Sequence, residues 1–285
     1  MRVLTPDGWS LAARHHEATG EPRGIALLLH AMMVDGRSME RPAGRGLAQF
    51  LAGEGWEVYV ADFRGHGASG PVPPAGTWTY GDLVQFDVPT LLAAVREAHP
   101  GLPVVVVGQS LGAHVTAAAM GHRAEVDALV MLSGNFWLPR LEPSRRRRLL
   151  KGAIMGGFAL AGRTVGHFPS RRLGYGPADE ALPYVEDLYG CWRSDTWASR
   201  DGIDYLAGLG RIEAPVLAVV GKGDRWMCPI RGARAWTSRI RSATLWYVGA
   251  GDRGLDFDPG HMALATDPRS RPLWEHIATW MGGAV

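Results

Sequence analysis

The chain reads as an α/β fold, a mostly parallel central sheet with helices on both faces and an inserted helical cap. Three observations predict it. Short uninterrupted apolar runs recur along the chain, as strands buried on both faces require. Segments of helical spacing alternate with them, which implies crossovers between parallel strands. The alternation lapses over residues 134–212 and then resumes, so that stretch is read as the cap.

Pro6-Asp7-Gly8 lies between Val3-Leu4 and Trp9 to Ala12 and predicts an opening β-hairpin. Ile25 to Leu29 is the first buried strand. Residues 44–54 place Leu47, Phe50 and Leu51 on one helical face, and Trp56 to Val60 is the next strand. A helix over 82–99 carries Leu83, Val84, Phe86, Leu91, Leu92 and Val95. A strand at 103–107, a helix at 111–120 and a strand from Ala128 to Leu132 follow. The cap holds a Gly-rich stretch (Gly152, Gly156, Gly157, Gly162), several prolines and Trp137, Trp192 and Trp197. Its aromatic content argues against a disordered linker. Val216 to Val220 and Thr244 to Val248 are the last strands, and a helix from Leu273 to Met281 closes the chain. The core is therefore assigned to residues 1–133 and 213–285, the cap to 134–212.

A chain of 285 residues can bury a large core. Its net charge of +2 gives no reason to expect a polyanion such as nucleic acid as partner. The basic run Arg145 to Arg148 with Lys151 is local. We read it as a solvated helix face; the alternative is a patch for an anionic substrate or a membrane surface. Two cysteines, Cys191 and Cys228, suggest a reducing compartment. The opening MRVLTPDGWSLAARHH lacks the apolar core of a signal peptide, and no apolar run reaches the length of a membrane span. A cytoplasmic location is the expectation. No His/Cys/Asp spacing fits a metal site, and GQSLG is not a phosphate loop, so no cofactor is expected.

The most informative stretch is PVVVVGQSLGAHVTAAAM at 103–120. Four valines run into Gly108-Gln109-Ser110-Leu111-Gly112 and then into an Ala-rich helical pattern. A strand–turn–helix of this kind strains its central residue and lifts the side chain clear of the sheet. Side chains at 108 and 112 would collide with the neighbouring strand or helix. The helix N-terminus favours negative charge developing at the Ser110 hydroxyl.

A serine needs a base, and the base an orienting carboxylate. Of the histidines after Ser110, His114 and His122 lie on or just after the following helix and are read as facing away from the strand ends or along the surface. His276 belongs to the closing helix. His261, in Asp258-Pro259-Gly260-His261-Met262 after the last strand, is the strongest base candidate. Asp224 follows the strand 216–220 in Gly221-Lys222-Gly223-Asp224-Arg225 and can reach across to it; Asp252, Asp256 and Asp258 compete. Oxyanion donors are placed at the backbone N–H groups of Leu111 and of Met32, with Ala31 as alternative to the latter. His30 is read as a hydrogen-bonding residue shaping that loop. Trp226 and Met227, beside Asp224, are the first choices for an apolar substrate pocket, followed by Asn135, Phe136 and Trp137.

These residues resemble the α/β-hydrolase superfamily, particularly its serine esterase, lipase and aminopeptidase-like branch with a helical cap. The matching stretches are LLLHAMM at 27–33, DFRGHGASG at 62–70, GQSLG at 108–112, PVLAVVGKGD at 215–224 and GHM at 260–262. The resemblance implies Ser110 as nucleophile, Asp224 as acid, His261 as base and the Met32 and Leu111 amides as oxyanion donors, with Asp62 and Arg64 holding a loop beside the site. Two departures stand out. His30-Ala31 replaces the usual His-Gly, and His261 comes nine residues after Asp252, so its loop must extend and fold back. The expected activity is hydrolysis of a small, lipophilic carboxylic ester through an acyl-enzyme. An acyltransferase using the same triad, or a non-catalytic binding protein of the same fold, are the alternatives.

Overall fold

The computed structural model describes residues 1–142 and 144–285. The opening hairpin forms as the turn residues predict, with β1 (Arg2–Leu4) antiparallel to β2 (Ser10–His16) and Leu4 opposite Ser10. Then come β3 (Gly24–Leu29), α1 (Leu47–Gly53) and β4 (Trp56–Asp62). The helix expected over 82–99 starts earlier. α2 (Tyr80–Asp82) passes through a π-turn at Leu83–Asp87 into α3 (Val88–Ala98). The start is fixed by a capping box: Thr79 Oγ1 accepts from the Asp82 amide at 3.1 Å, and the Asp82 carboxylate accepts from the Thr79 amide at 2.7 Å. β5 (Val104–Gln109), α4 (Leu111–His122) and β6 (Ala128–Leu132) follow.

After β6 the chain leaves the sheet. It forms α5 (Arg145–Val165), β7 (His167–Phe168), α6 (Ser170–Leu173), β8 (Glu180–Ala181), α7 (Leu182–Ser194) and α8 (Tyr205–Gly208). β7 and β8 pair antiparallel, and α5 packs along α7. The chain rejoins the sheet at β9 (Val216–Gly221), then forms α9 (Ile230–Thr237), β10 (Ala243–Val248), α10 (Ala263–Thr266) and α11 (Arg271–Ala284).

The eight-stranded sheet runs β1-β2-β4-β3-β5-β6-β9-β10. Only the pairs involving β2 are antiparallel. Its apolar runs are explained by burial on two faces. Leu27, Leu29, Val104 and Val106 pack into one core with Leu91, Val95 and Val115. Ala26, Leu28, Val105 and Val107 pack into the other with Phe50, Leu51, Leu273 and Ile277. The period of two along each strand thus serves two hydrophobic layers at once.

The reading of the basic run as a solvated face needs correcting. Arg145, Arg146 and Arg148 are exposed, but Lys151 is fully buried in an ion pair with buried Glu142. Its ammonium lies 4.0 Å from the Trp137 ring centroid and 5.6 Å from that of Trp226. Arg147 also turns inward, donating to the carbonyls of Arg225 and Trp226. One turn of α5 separates Lys151 from Arg147, so both share the inner helix face. Both cysteines carry free thiols, and none of the described helices is long and apolar enough to cross a membrane.

Candidate active site

Ser110 occupies the sharp turn between β5 and α4 with φ 50° and ψ −105°. That conformation costs a non-glycine residue about 1–3 kcal/mol. Close packing holds it there. A Cβ on Gly108 would overlap the Ala113 amide, and one on Gly112 would overlap the Leu29 carbonyl. The Ser110 amide donates to the Leu132 carbonyl at 2.9 Å, and the Gly112 amide to the His30 carbonyl at 3.1 Å. The hydroxyl is thereby aimed out of the carboxyl end of the sheet.

His261 Nε2 lies 2.9 Å from Ser110 Oγ, and His261 Nδ1 lies 2.6 Å from Asp224 Oδ2. Three side chains separated by up to 151 positions form one hydrogen-bonded line. Asp224 Oδ1 accepts the amides of Met227 at 3.1 Å and Cys228 at 3.0 Å, so both carboxylate oxygens are committed. Burial raises its pKa, but the hydrogen bond and charge of His261 and the Cys228 amide more than offset this and hold the carboxyl below its ordinary range. The competing carboxylates are occupied elsewhere or exposed. Asp252 pairs with Lys222 at 2.7 Å, Asp258 accepts from the Ala250 amide, and Asp256 faces solvent.

The long approach to His261 folds back as its length requires. The Gly251 amide bonds the Leu255 carbonyl, Leu255 is buried, and the Gly223 amide bonds the Pro259 carbonyl. Gln109 Nε2 then donates to the His261 carbonyl at 2.7 Å, tying the loop to the end of β5.

Met32 lines the same cavity as Ser110, and Leu111 follows Ser110 directly as the first residue of α4. Leu111 opens α4, so its N–H has no intrahelical acceptor; the Met32 N–H has no hydrogen-bond acceptor among the described residues. Both are free to serve an oxygen ligand. His30 shapes the loop. Its Nδ1 donates to the Ala31 carbonyl at 2.7 Å, and its Nε2 accepts from the Phe63 amide at 3.1 Å. Burial and the neighbouring His66 lower its pKa to about 4, so it is neutral. In the loop at 62–70, Asp62 accepts the Gly36 and Ala68 amides, and Arg64 pairs with Asp7 and Asp87 at 2.7 Å each.

Ser110 and His261 open onto a cavity of about 380 Å³, within the usual range for small-molecule sites. Its walls are mainly apolar. Trp137, Trp226 and Met227 line it, as do Asn135 and Phe136. Trp137 Nε1 and Asn135 Nδ2 both donate to the Met227 carbonyl, which joins the end of β6 to the loop of Asp224. Trp192 and Trp197 are packing residues instead, 7% and 1% exposed.

The expectation for His114 fails. Its side chain lines the cavity rather than facing away, because position 114 lies one helical turn beyond Ser110, on the same face. Tyr80 Oη lies 2.9 Å from His114 Nδ1 and accepts from Trp197 Nε1 at 3.3 Å. Indole can only donate, and among the described residues His114 Nδ1 is the acceptor within reach of the Tyr80 proton, so the tyrosine donates onward and the imidazole carries its proton on Nε2. Burial, then the neighbouring His261, lower the His114 pKa to about 3.

The sequence reading also missed the inner faces of α5 and α7. Ile154, Met155 and Phe158, and likewise Tyr184, Val185 and Leu188, line the cavity. Each trio has spacing i, i+1, i+4, a helical face that the pattern alone could have shown. Tertiary folding also gathers His15, Glu57 and His99, whose ligand-type atoms lie within 4.8 Å of one another, where the sequence showed no metal-like spacing. Glu57 lies near the start of β4, at the opposite end of the sheet from Ser110.

The fold and this hydroxyl–imidazole–carboxylate line define an α/β-hydrolase. Residues 20–247 match the family described as serine aminopeptidase, S33, and the chain belongs to that family. It is 26% identical over 281 residues to a monoacylglycerol lipase of Mycolicibacterium smegmatis, covering 92% of this chain and 89% of the relative. It is 25% identical over 247 residues to the human monoglyceride lipase, covering 81% and 75%. Among solved structures, the fold is shared with the monoacylglycerol lipase of Paleococcus ferrophilus, at TM-score 0.64 and 16% identity over 96% of this chain and 99% of that one. It is shared also with an esterase from Exiguobacterium antarcticum, at TM-score 0.65 and 16% identity over 98% of each.

Proposed function

We propose that this chain hydrolyses carboxylic esters with a lipophilic part through an acyl-enzyme on Ser110. The observation that carries the reading is the continuous line Asp224–His261–Ser110 opening onto an apolar cavity. His261 Nε2 takes the hydroxyl proton as Ser110 Oγ attacks the ester carbonyl. The Met32 and Leu111 amides stabilise the tetrahedral oxyanion. The imidazolium gives its proton to the departing alcohol. Water, deprotonated by the same imidazole, then releases the acid and restores the serine. Asp224 keeps the Nδ1 proton in place and balances the imidazolium charge.

Residues 134–212 act as the cap: Ile154, Met155, Tyr184 and Val185 supply one wall of the substrate cavity. The lipase and esterase names of the relatives favour an ester over a peptide. So does the cavity, in which no carboxylate lines the wall among the described residues, leaving a peptide's ammonium without a counter-charge. Ser110→Ala, assayed on p-nitrophenyl butyrate, should lose about four to six orders of magnitude in kcat/KM. Retention of most of the activity at an unchanged melting temperature would falsify the proposal.

A further inference from the structure

Met33 is the residue after the proposed oxyanion donor Met32, and its backbone is left-handed, with φ 62°. A non-glycine residue holds that conformation only when its surroundings fix it. Here a single segment, 176–180, does so from both sides. The Met33 amide donates to Glu180 Oε1 at 2.6 Å, and the Met33 carbonyl accepts from the Ala178 amide at 3.0 Å. Gly176 packs so closely that a Cβ there would overlap the Met33 carbonyl oxygen.

Glu180 is fully buried, and its Oε2 has no hydrogen-bond partner among the described residues. A buried carboxylate with an orphan oxygen is costly and calls for an explanation. Its second partner is His66, whose Nε2 lies 3.2 Å from the same Oε1. His66 Nδ1 lies 2.9 Å from the Arg64 carbonyl, which can only accept. Nδ1 therefore donates, and with Nε2 facing the Glu180 carboxyl oxygen the ring is placed to donate from both nitrogens, as an imidazolium does. Burial disfavours that charge, but the charge and hydrogen bond of Glu180 outweigh it and raise the His66 pKa. The neighbouring His30 ring, 5.0 Å away, stays neutral, as its own partners require.

We infer that Glu180 is a positioning residue for the oxyanion hole: from outside the sheet core it fixes the Met33 peptide and, through it, the aim of the Met32 N–H at Ser110. The inference rests on the proposed ester hydrolysis. It makes the hole a joint product of the strand-end loop after β3 and the segment between β6 and β9. Neither element alone holds Met33 in its left-handed state.

Three variants test it on p-nitrophenyl butyrate. Glu180→Ala removes the acceptor, Glu180→Gln keeps an oxygen but not the charge that holds His66, and Gly176→Ala presses on the Met33 carbonyl without touching any charge. Loss of one oxyanion donor costs about 10²–10³-fold in kcat. Glu180→Ala should approach that loss, and Glu180→Gln and Gly176→Ala should each lose about tenfold, with KM within about threefold of the parent. Inhibition by butylboronic acid, whose serine adduct places an oxygen in the hole, should weaken in proportion to kcat. A merely structural role would lower the amount of folded enzyme without that proportionality. If Glu180→Ala does not fold, the other two decide. A kcat within twofold of the parent in Glu180→Gln and Gly176→Ala overturns the inference. If the parent itself fails to hydrolyse esters, or Ser110→Ala retains activity, the proposed function falls instead.

Discussion

Asp224→Asn tests the electrostatic logic of the site with almost no change in shape. The Asp224 Oδ1 position faces two backbone donors, the amides of Met227 and Cys228 at 3.1 and 3.0 Å. An asparagine must therefore set its carbonyl oxygen there. The opposite orientation would turn an NH₂ against two buried N–H groups, at about 1–3 kcal/mol for each donor left unpaired. With the oxygen so fixed, the amide NH₂ takes the place of Oδ2, 2.6 Å from His261 Nδ1. Two donors cannot share that contact, so the imidazole shifts its proton to Nε2. The nitrogen 2.9 Å from Ser110 Oγ then cannot accept the hydroxyl proton. The base is lost although every heavy atom stays in place. The expected fall in kcat is about four orders of magnitude, equivalent to about 5 kcal/mol of transition-state stabilisation. The assay is initial-rate hydrolysis of p-nitrophenyl butyrate at pH 7.5, with a thermal melt as control. A variant that melts with the parent and keeps more than a tenth of its kcat would refute the tautomer argument.

Other consequences follow from the buried polar groups. Lys151→Met leaves buried Glu142 with the looser Arg147 contact at 3.5 Å in place of its ammonium partner and should destabilise the fold by up to about 3 kcal/mol; calorimetry should show a melting temperature lowered by up to roughly 12 °C. The double variant Glu142→Gln with Lys151→Met should recover much of that loss, and no recovery would contradict the pairing. His114→Phe leaves the Tyr80 hydroxyl without its acceptor and should cost about 1–3 kcal/mol in urea unfolding. The acid limb of its pH–rate profile should match the parent's, since His114 stays uncharged down to about pH 3. Stability should fall as the solution is acidified below pH 6.5. His30 and His114, with folded values of about 4 and about 3, take up protons only on unfolding in that window. Asp224, held below 3.8, adds stability above that value and loses it as pH falls further. His66 acts in the opposite sense, its contribution present at low pH and lost as pH rises through its raised value, and so does Asp87, which burial raises to about 6 so that it takes up its proton in the folded state first; the two depressed histidines set the net direction. Urea midpoints between pH 4 and 7 measure the sum, and a flat profile would contradict it.

The eight strands of the main sheet, the helices after β3, β4 and β5, the closing helix and the serine turn were legible in the sequence; the helices of residues 134–212 and α9 were not. The sequence could show the former because both-face burial demands uninterrupted apolar runs, and because the turn at 108–112 tolerates only glycine at two defined places. It also placed Asp224 and His261 at strand ends on the same rim. It could not show the inner face of the 134–212 segment, nor that Lys151 is buried, because a helix pattern reveals a face without naming what covers it. His114 was misread for the same reason: its direction depends on the packing of Tyr80 and Trp197, 34 and 83 positions away in the chain. Glu180 carried no local signal at all. Its neighbours Met33 and His66 lie 147 and 114 positions away, and only the closed tertiary structure excludes water from the three and makes their charges and hydrogen bonds interdependent.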